Sequence, residues 1–151
     1  MTAVGWVGLM VGVAAVVEDL ALRRISNWTC GVALLSGVVL HGVHEGFRGV
    51  ATAAAGAAVG FALFAIFYFL GGMGGGDVKL MAGFGGLLGP GTILCAAWIT
   101  AVVGGFMAAA SAAVLLGRSS VAGGRAVARV EAIPYAPAIV AGVWLAEMAR
   151  G

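Results

Sequence analysis

The chain has 151 residues, 62% of them hydrophobic and 9% charged, with a formal net charge of +2. A soluble domain carries roughly a quarter charged residues, so too little polar surface remains here to cover a water-soluble globule. A net charge this small gives no footing for nucleic acid. The mean hydropathy of +1.12 points instead to an all-α, polytopic membrane protein built as a single domain over residues 1–151.

Hydropathy and helix breakers divide the chain into six expected helices. The first covers about Thr2–Val17 and ends at Glu18-Asp19. It has no basic leading region and runs into charge rather than into a small-residue cleavage site, so it reads as a retained helix and not as a signal peptide. The second runs from about Trp28 to Val43 and closes at His44-Glu45-Gly46-Phe47-Arg48. The third, about Val50–Leu70, ends at the glycine cluster from Gly71 to Gly76. The fourth starts near Asp77 and stops before Gly89-Pro90-Gly91, a turn signal. It is short for a span of about 20 residues, so either it stands upright in a thinned bilayer or the glycine run extends it. The fifth is about Thr92–Leu116 and the sixth about Pro134–Met148, joined by the polar connection Gly117–Ile133.

Alternating the connections between two faces groups Arg23, Arg24, Lys79, Arg118, Arg125 and Arg129 on one and Arg48 and Arg150 on the other. The positive-inside rule makes the richer face cytoplasmic and puts both termini outside. Glycines spaced as at Gly8/Gly12 and Gly56/Gly60 fit close helix packing and carry no chemistry of their own. Cys30 and Cys95 lie in apolar stretches with no CxxC pairing, and read as buried small hydrophobes.

Ionisable groups at membrane depth are costly and point to function by default. Two segments on the same expected face hold them: Glu18-Asp19 leading into Arg23-Arg24-Ile25-Ser26-Asn27, and Gly74-Gly75-Gly76-Asp77-Val78-Lys79-Leu80. Each ends a hydrophobic helix with an aspartate. Two facing carboxylates that share one proton are the minimum apparatus of aspartyl proteolysis. Taken by themselves, the same residues also fit interfacial charges that end helices, with Lys79 and Arg23 as partners. The glycines before Asp77 favour the first reading, because they leave room for an extended peptide beside the carboxylate. A phosphate-binding loop would need GK[ST] after the run, and an aspartate there repels phosphate.

At these residues the chain resembles the type IV prepilin peptidases, which are GxGD intramembrane aspartyl proteases. Gly74–Leu80 is similar to that family's GxGDxKL motif, and Asp19 with Arg23-Arg24-Ile25-Ser26-Asn27 is similar to its aspartate before R-x-I-P-N. Ile133-Pro134-Tyr135-Ala136-Pro137-Ala138-Ile139 resembles the start of its last helix. The resemblance implies Asp19 and Asp77 as a metal-independent catalytic dyad with no cofactor. It also implies Gly74, Gly76, Lys79, Arg23, Asn27, Pro134 and Pro137 as residues that shape the site, with Lys79 pairing near Asp77. The substrate it implies is a prepilin-like protein, cleaved after a basic leader at the cytoplasmic face of the inner membrane. Two departures stand out. Ser26 occupies the usual proline position and is expected to soften the turn into the second helix. The large insertion with paired CxxC motifs found in methylating members is absent, so the chain resembles the compact members associated with Tad/Flp pili. An archaeal preflagellin-type peptidase is the alternative within enzymes. Outside them, a small transporter or assembly factor would need a polar pathway, for which Ser36, Thr52, Thr100 and Ser111 are thin support.

Other residues weigh less. Glu18 and Asp19 point about 100° apart on a helix, and the resemblance favours Asp19. His41, His44 and Glu45 look like metal ligands but sit at the far end of the second helix, where a cap is the better reading. Asn27-Trp28-Thr29 matches a glycosylation sequon by chance. Arg125 and Arg129, four residues apart, read as interfacial anchors toward membrane lipid.

Overall fold

Six helices carry most of the described residues: α1 (Ala3–Leu22), α2 (Asn27–Glu45), α3 (Phe47–Phe69), α4 (Gly75–Leu88), α5 (Pro90–Val121) and α6 (Ala136–Arg150). The computed structural model describes residues 2–70, 73–121 and 135–150. Gly71, Gly72, Arg125, Arg129, Glu131 and Pro134 lie outside the described residues. Most expected boundaries shift by a few residues, and two shifts matter. Glu18-Asp19 does not end α1; Ala21 and Leu22 continue it, and Arg23 stops it in a left-handed conformation with φ 51°. The fifth helix runs on through Val121, into what reads in sequence as a polar connection.

α4 is the centre of the bundle. It packs against every other helix, and the other five follow one another around it as α1, α2, α3, α5, α6 and back to α1. From Asp77 to Leu88 only Lys79 is exposed and only Ala82 is half-buried. Its 14 residues rise about 21 Å, less than the roughly 30 Å of a bilayer core. The ring of longer helices resolves that shortfall, because a helix shielded from lipid need not match the bilayer's thickness. The glycine run contributes only Gly75 and Gly76 to its length.

Small residues make this close central packing possible. Any side chain at Gly37 would run into the backbone of Gly86, and any at Gly56 into that of Gly85. Gly60 faces Met81 in the same way, while Gly8 meets the Leu87 side chain. Phe84, Leu80, Met81, Leu87 and Leu88 fill the core between these contacts. Gly89, at φ 79°, makes the reversal into α5 that a side chain would strain, and Pro90 opens α5 where no N–H partner is needed.

The outer surface is the inverse of a soluble protein's. Trp28, Leu35, Phe61, Phe69, Trp98, Val102 and Phe106 are exposed on it. Cys95 is exposed there too, on the outer face of α5, whereas Cys30 is buried as expected. α1, α3 and the stretch Pro90–Met107 of α5 are each long and apolar enough to cross a membrane. The chain is a helical membrane protein.

Candidate active site

The α1–α2 turn, the start of α4 and the start of α6 meet at one end of the bundle. Asp19 lies in the last turn of α1, half-buried, and its Oδ2 accepts a hydrogen bond of 3.2 Å from the N–H of Ala136, the first residue of α6. That N–H is one of the donors a helix start leaves without an intrahelical acceptor. Pro137 follows in the first turn, a position that asks for no amide hydrogen. A contact spanning 117 residues thereby ties the first motif to the third.

Asp77 is the third residue of α4 and is 8% exposed. Its Oδ2 accepts from the N–H of Gly74, the N-cap, at 3.3 Å. This is half of a capping box; the reciprocal half cannot form, because Gly74 has no side chain. Asp19 and Asp77 lie within electrostatic reach of one another. α1 and α4 are in contact, which brings the two carboxylates to the same end of the bundle.

The first and second motifs also touch directly. A methyl group at Gly76 would sit 3.4 Å from Cβ of Ile25, so Ile25 lies over the start of α4. Lys79 Nζ donates to Asn27 Oδ1 at 3.0 Å. The partner expected for Lys79 was Asp77. The ammonium instead reaches outward to α2, because Lys79 sits on the one exposed face of α4 while Asp77 points into the bundle. Arg23 is exposed and serves to end α1. Gly74 and Gly75 are exposed, and a methyl group at Gly74 would stand 3.5 Å from Asp77 Oδ2. A methyl group at Gly75 would stand 3.6 Å from the Tyr68 ring, so among the described residues both positions have ordinary contact distances and neither needs glycine to avoid a clash.

Glu18 is the residue whose part sequence reasoning missed. Its Oε2 accepts from the Ser26 N–H at 2.8 Å and its Oε1 from the Thr29 hydroxyl at 2.8 Å. Ser26 is the N-cap of α2, and its Oγ accepts from the Trp28 N–H at 3.2 Å. The turn is therefore not soft. Its φ of −68° lies where proline would fix it, and the amide hydrogen that proline would lack is used. A cleft of about 460 Å³ opens beside this turn, lined by Glu18, Leu22, Arg24, Ile25, Ser26 and Asn27.

Among the described residues, the opposite end carries no comparable cluster of carboxylates. His41 Nε2 donates to the Leu87 carbonyl at 3.0 Å, near the end of α4, and His44 Nδ1 donates to the Leu40 carbonyl at 2.7 Å. Both histidines serve helix ends, as the cap reading expects.

Fold and site together define a polytopic helical membrane protein with two aspartates at one end of its bundle. The sequence profile of the type IV leader peptidase family matches residues 6–109, more than half of the chain, and the chain belongs to that family. The match includes both aspartates but stops before α6. A relative from Bacillus subtilis (strain 168), named prepilin leader peptidase/N-methyltransferase, is 40% identical over 93 residues. The aligned part is 60% of this chain and 34% of the relative, so the chain spans about a third of that protein's length. No solved structure matches the chain.

Proposed function

We propose that the chain is an aspartyl endopeptidase that removes the basic leader from prepilin-like substrates at the cytoplasmic face of the inner membrane, with Asp19 and Asp77 as its catalytic pair. The observation that carries this reading is the convergence of the three motif segments at one end of the bundle. Membership of the type IV leader peptidase family supports the peptidase class, and the relative's name supports the prepilin substrate.

The chemistry follows from two carboxyl groups sharing one proton. The ionised member takes a proton from a water molecule as its oxygen attacks the scissile carbonyl carbon. The protonated member gives its proton to the carbonyl oxygen, so the charge that develops there is neutralised as it forms. Collapse of the resulting diol breaks the C–N bond, and the leaving nitrogen takes up a proton. The exposed Gly74-Gly75 strip leaves an extended peptide room beside Asp77. Lys79, held by Asn27, keeps its charge off the carboxyl it neighbours in sequence. Cleavage of this kind needs one group of the pair protonated and one ionised, so activity falls at both acidic and basic pH.

The test is cleavage of a prepilin carrying a lysine-rich leader by the purified protein in detergent or nanodiscs. Asp19→Asn and Asp77→Asn should each abolish cleavage while the protein still inserts. Robust cleavage by either variant removes the dyad.

A further inference from the structure

The geometry points to Glu18 as a positioning residue for Asp19, acting as an acid borrowed from α1 to cap α2; this rests on the reading of Asp19 as catalytic. In a capping box the acid three residues into the helix turns back to accept the N-cap amide hydrogen. In α2 that position is Thr29, whose side chain cannot accept in that way. Glu18, on the preceding helix, takes both jobs. One oxygen receives the Ser26 amide and the other the Thr29 hydroxyl, each at 2.8 Å. Thr29 is 8% exposed, so without Glu18 its hydroxyl would be left in a largely dry setting. The carboxylate also faces the positive end of the α2 dipole.

Two short bonds from one side chain to two points on α2 fix more than a distance. They fix the rotation of the last turn of α1 about its own axis, and Asp19 is the next residue on that turn. On the far side Asp19 is held by the α6 amide of Ala136. Glu18 and Asp19 thus pull the end of α1 toward α2 and α6 respectively, and the direction of the Asp19 carboxyl is set between them. α1 needs such a strap, because Arg23 ends it abruptly and only Arg24 and Ile25 intervene before the cap. A catalytic group misaimed by an ångström loses much of its rate even when substrate still binds.

Three variants read the strap. Glutamine at position 18 can accept the Ser26 amide hydrogen through its oxygen and meet the Thr29 hydroxyl with its amide, so Glu18→Gln should keep kcat within about threefold. Glu18→Ala removes both bonds and should lower kcat by about tenfold or more with KM unchanged within about twofold. Because the Ser26 φ of −68° already suits proline, Ser26→Pro stiffens the turn without its amide. Added to Glu18→Ala, it should return most of the lost kcat. Hydrogen exchange of the labelled Ser26 amide, followed by NMR in micelles, supplies a readout independent of cleavage. It should be slow in the parent protein and in Glu18→Gln, and at least about tenfold faster in Glu18→Ala. If Glu18→Ala fails to accumulate, Thr29→Val removes one arm alone and should cost about threefold in kcat at unchanged KM. Wild-type kcat in either of these variants, a Glu18→Gln as impaired as Glu18→Ala, or equal exchange of the Ser26 amide overturns the proposal. A parent protein that cleaves no prepilin, or an Asp19→Asn that cleaves, overturns the peptidase reading instead, and leaves the exchange result to judge the strap.

Discussion

Asp19 and Glu18 are neighbours with the same chemistry, and only their contacts separate them. Asp19 Oδ2 receives the α6 amide of Ala136 at 3.2 Å, whereas both oxygens of Glu18 are taken up by α2. At this scale the expected outcomes are sharp. Asn at position 19 or 77 keeps size and hydrogen-bonding reach but cannot cycle a proton, so cleavage should fall by about a thousandfold or more with insertion intact. Single-turnover assays on a leader-bearing substrate check it. The preference for Asp19 over Glu18 as the candidate rests on the resemblance of Asp19 with Arg23-Arg24-Ile25-Ser26-Asn27 to the family motif. The work of Glu18 was not legible in the sequence, because a cap supplied by a different helix leaves no pattern at i, i+3. The signal that was available is a negative one: an N-cap serine at Ser26 followed by threonine, not glutamate or glutamine, at Thr29.

At the scale of the elements, two kinds of glycine serve α4. Gly37 and Gly56 admit the backbone of α4, and alanine at either would collide with Gly86 or Gly85. Such overpacking should cost about 1–3 kcal/mol or more, read as a lowered melting temperature in detergent. A Cβ at Gly74 would meet only Asp77 Oδ2, at 3.5 Å, among the described residues. Gly74→Ala should therefore melt within a few degrees of the parent and cleave more slowly, because the methyl group enters the space beside the carboxylate. A Gly74→Ala that is both stable and fully active would deny that this strip receives substrate. His41 belongs to the opposite end of α4, where it bonds the Leu87 carbonyl. His41→Ala should cost about 0.5–1.5 kcal/mol of stability and leave cleavage unchanged, a split that a metal-binding role would not give. Sequence spacing marked Gly56 as a packing glycine and left Gly37 unremarked. Which glycines face backbone and which face open space depends on the neighbouring helix, and spacing within one helix does not carry that.

For the whole molecule, the arrangement of charges and the convergence of motifs make a joint claim about topology. Arg23, Arg24 and Lys79 lie at the end of the bundle that holds both aspartates, and Arg48 lies by the opposite end, between α2 and α3. With Cys30 and Cys95 replaced, cysteines at Ser26 and Gly75 should label from the cytoplasm and one at Gly46 from outside. Labelling of Ser26 and Gly75 from opposite faces would part the aspartates and end the peptidase reading. Composition and breakers by themselves determined the class and the number of helices, and singled out the two carboxylates as candidates. Those features rest on local chemistry: apolar length sets a span, Gly-Pro sets a turn, and an aspartate at a helix end stands out against an apolar background. Only the tertiary structure decided that the shortest helix is the central one, that Lys79 answers to Asn27, and that Glu18 caps a helix it does not belong to. Each of these is a contact between segments far apart in the chain or across a turn, chosen by which helices become neighbours when five of them close around α4.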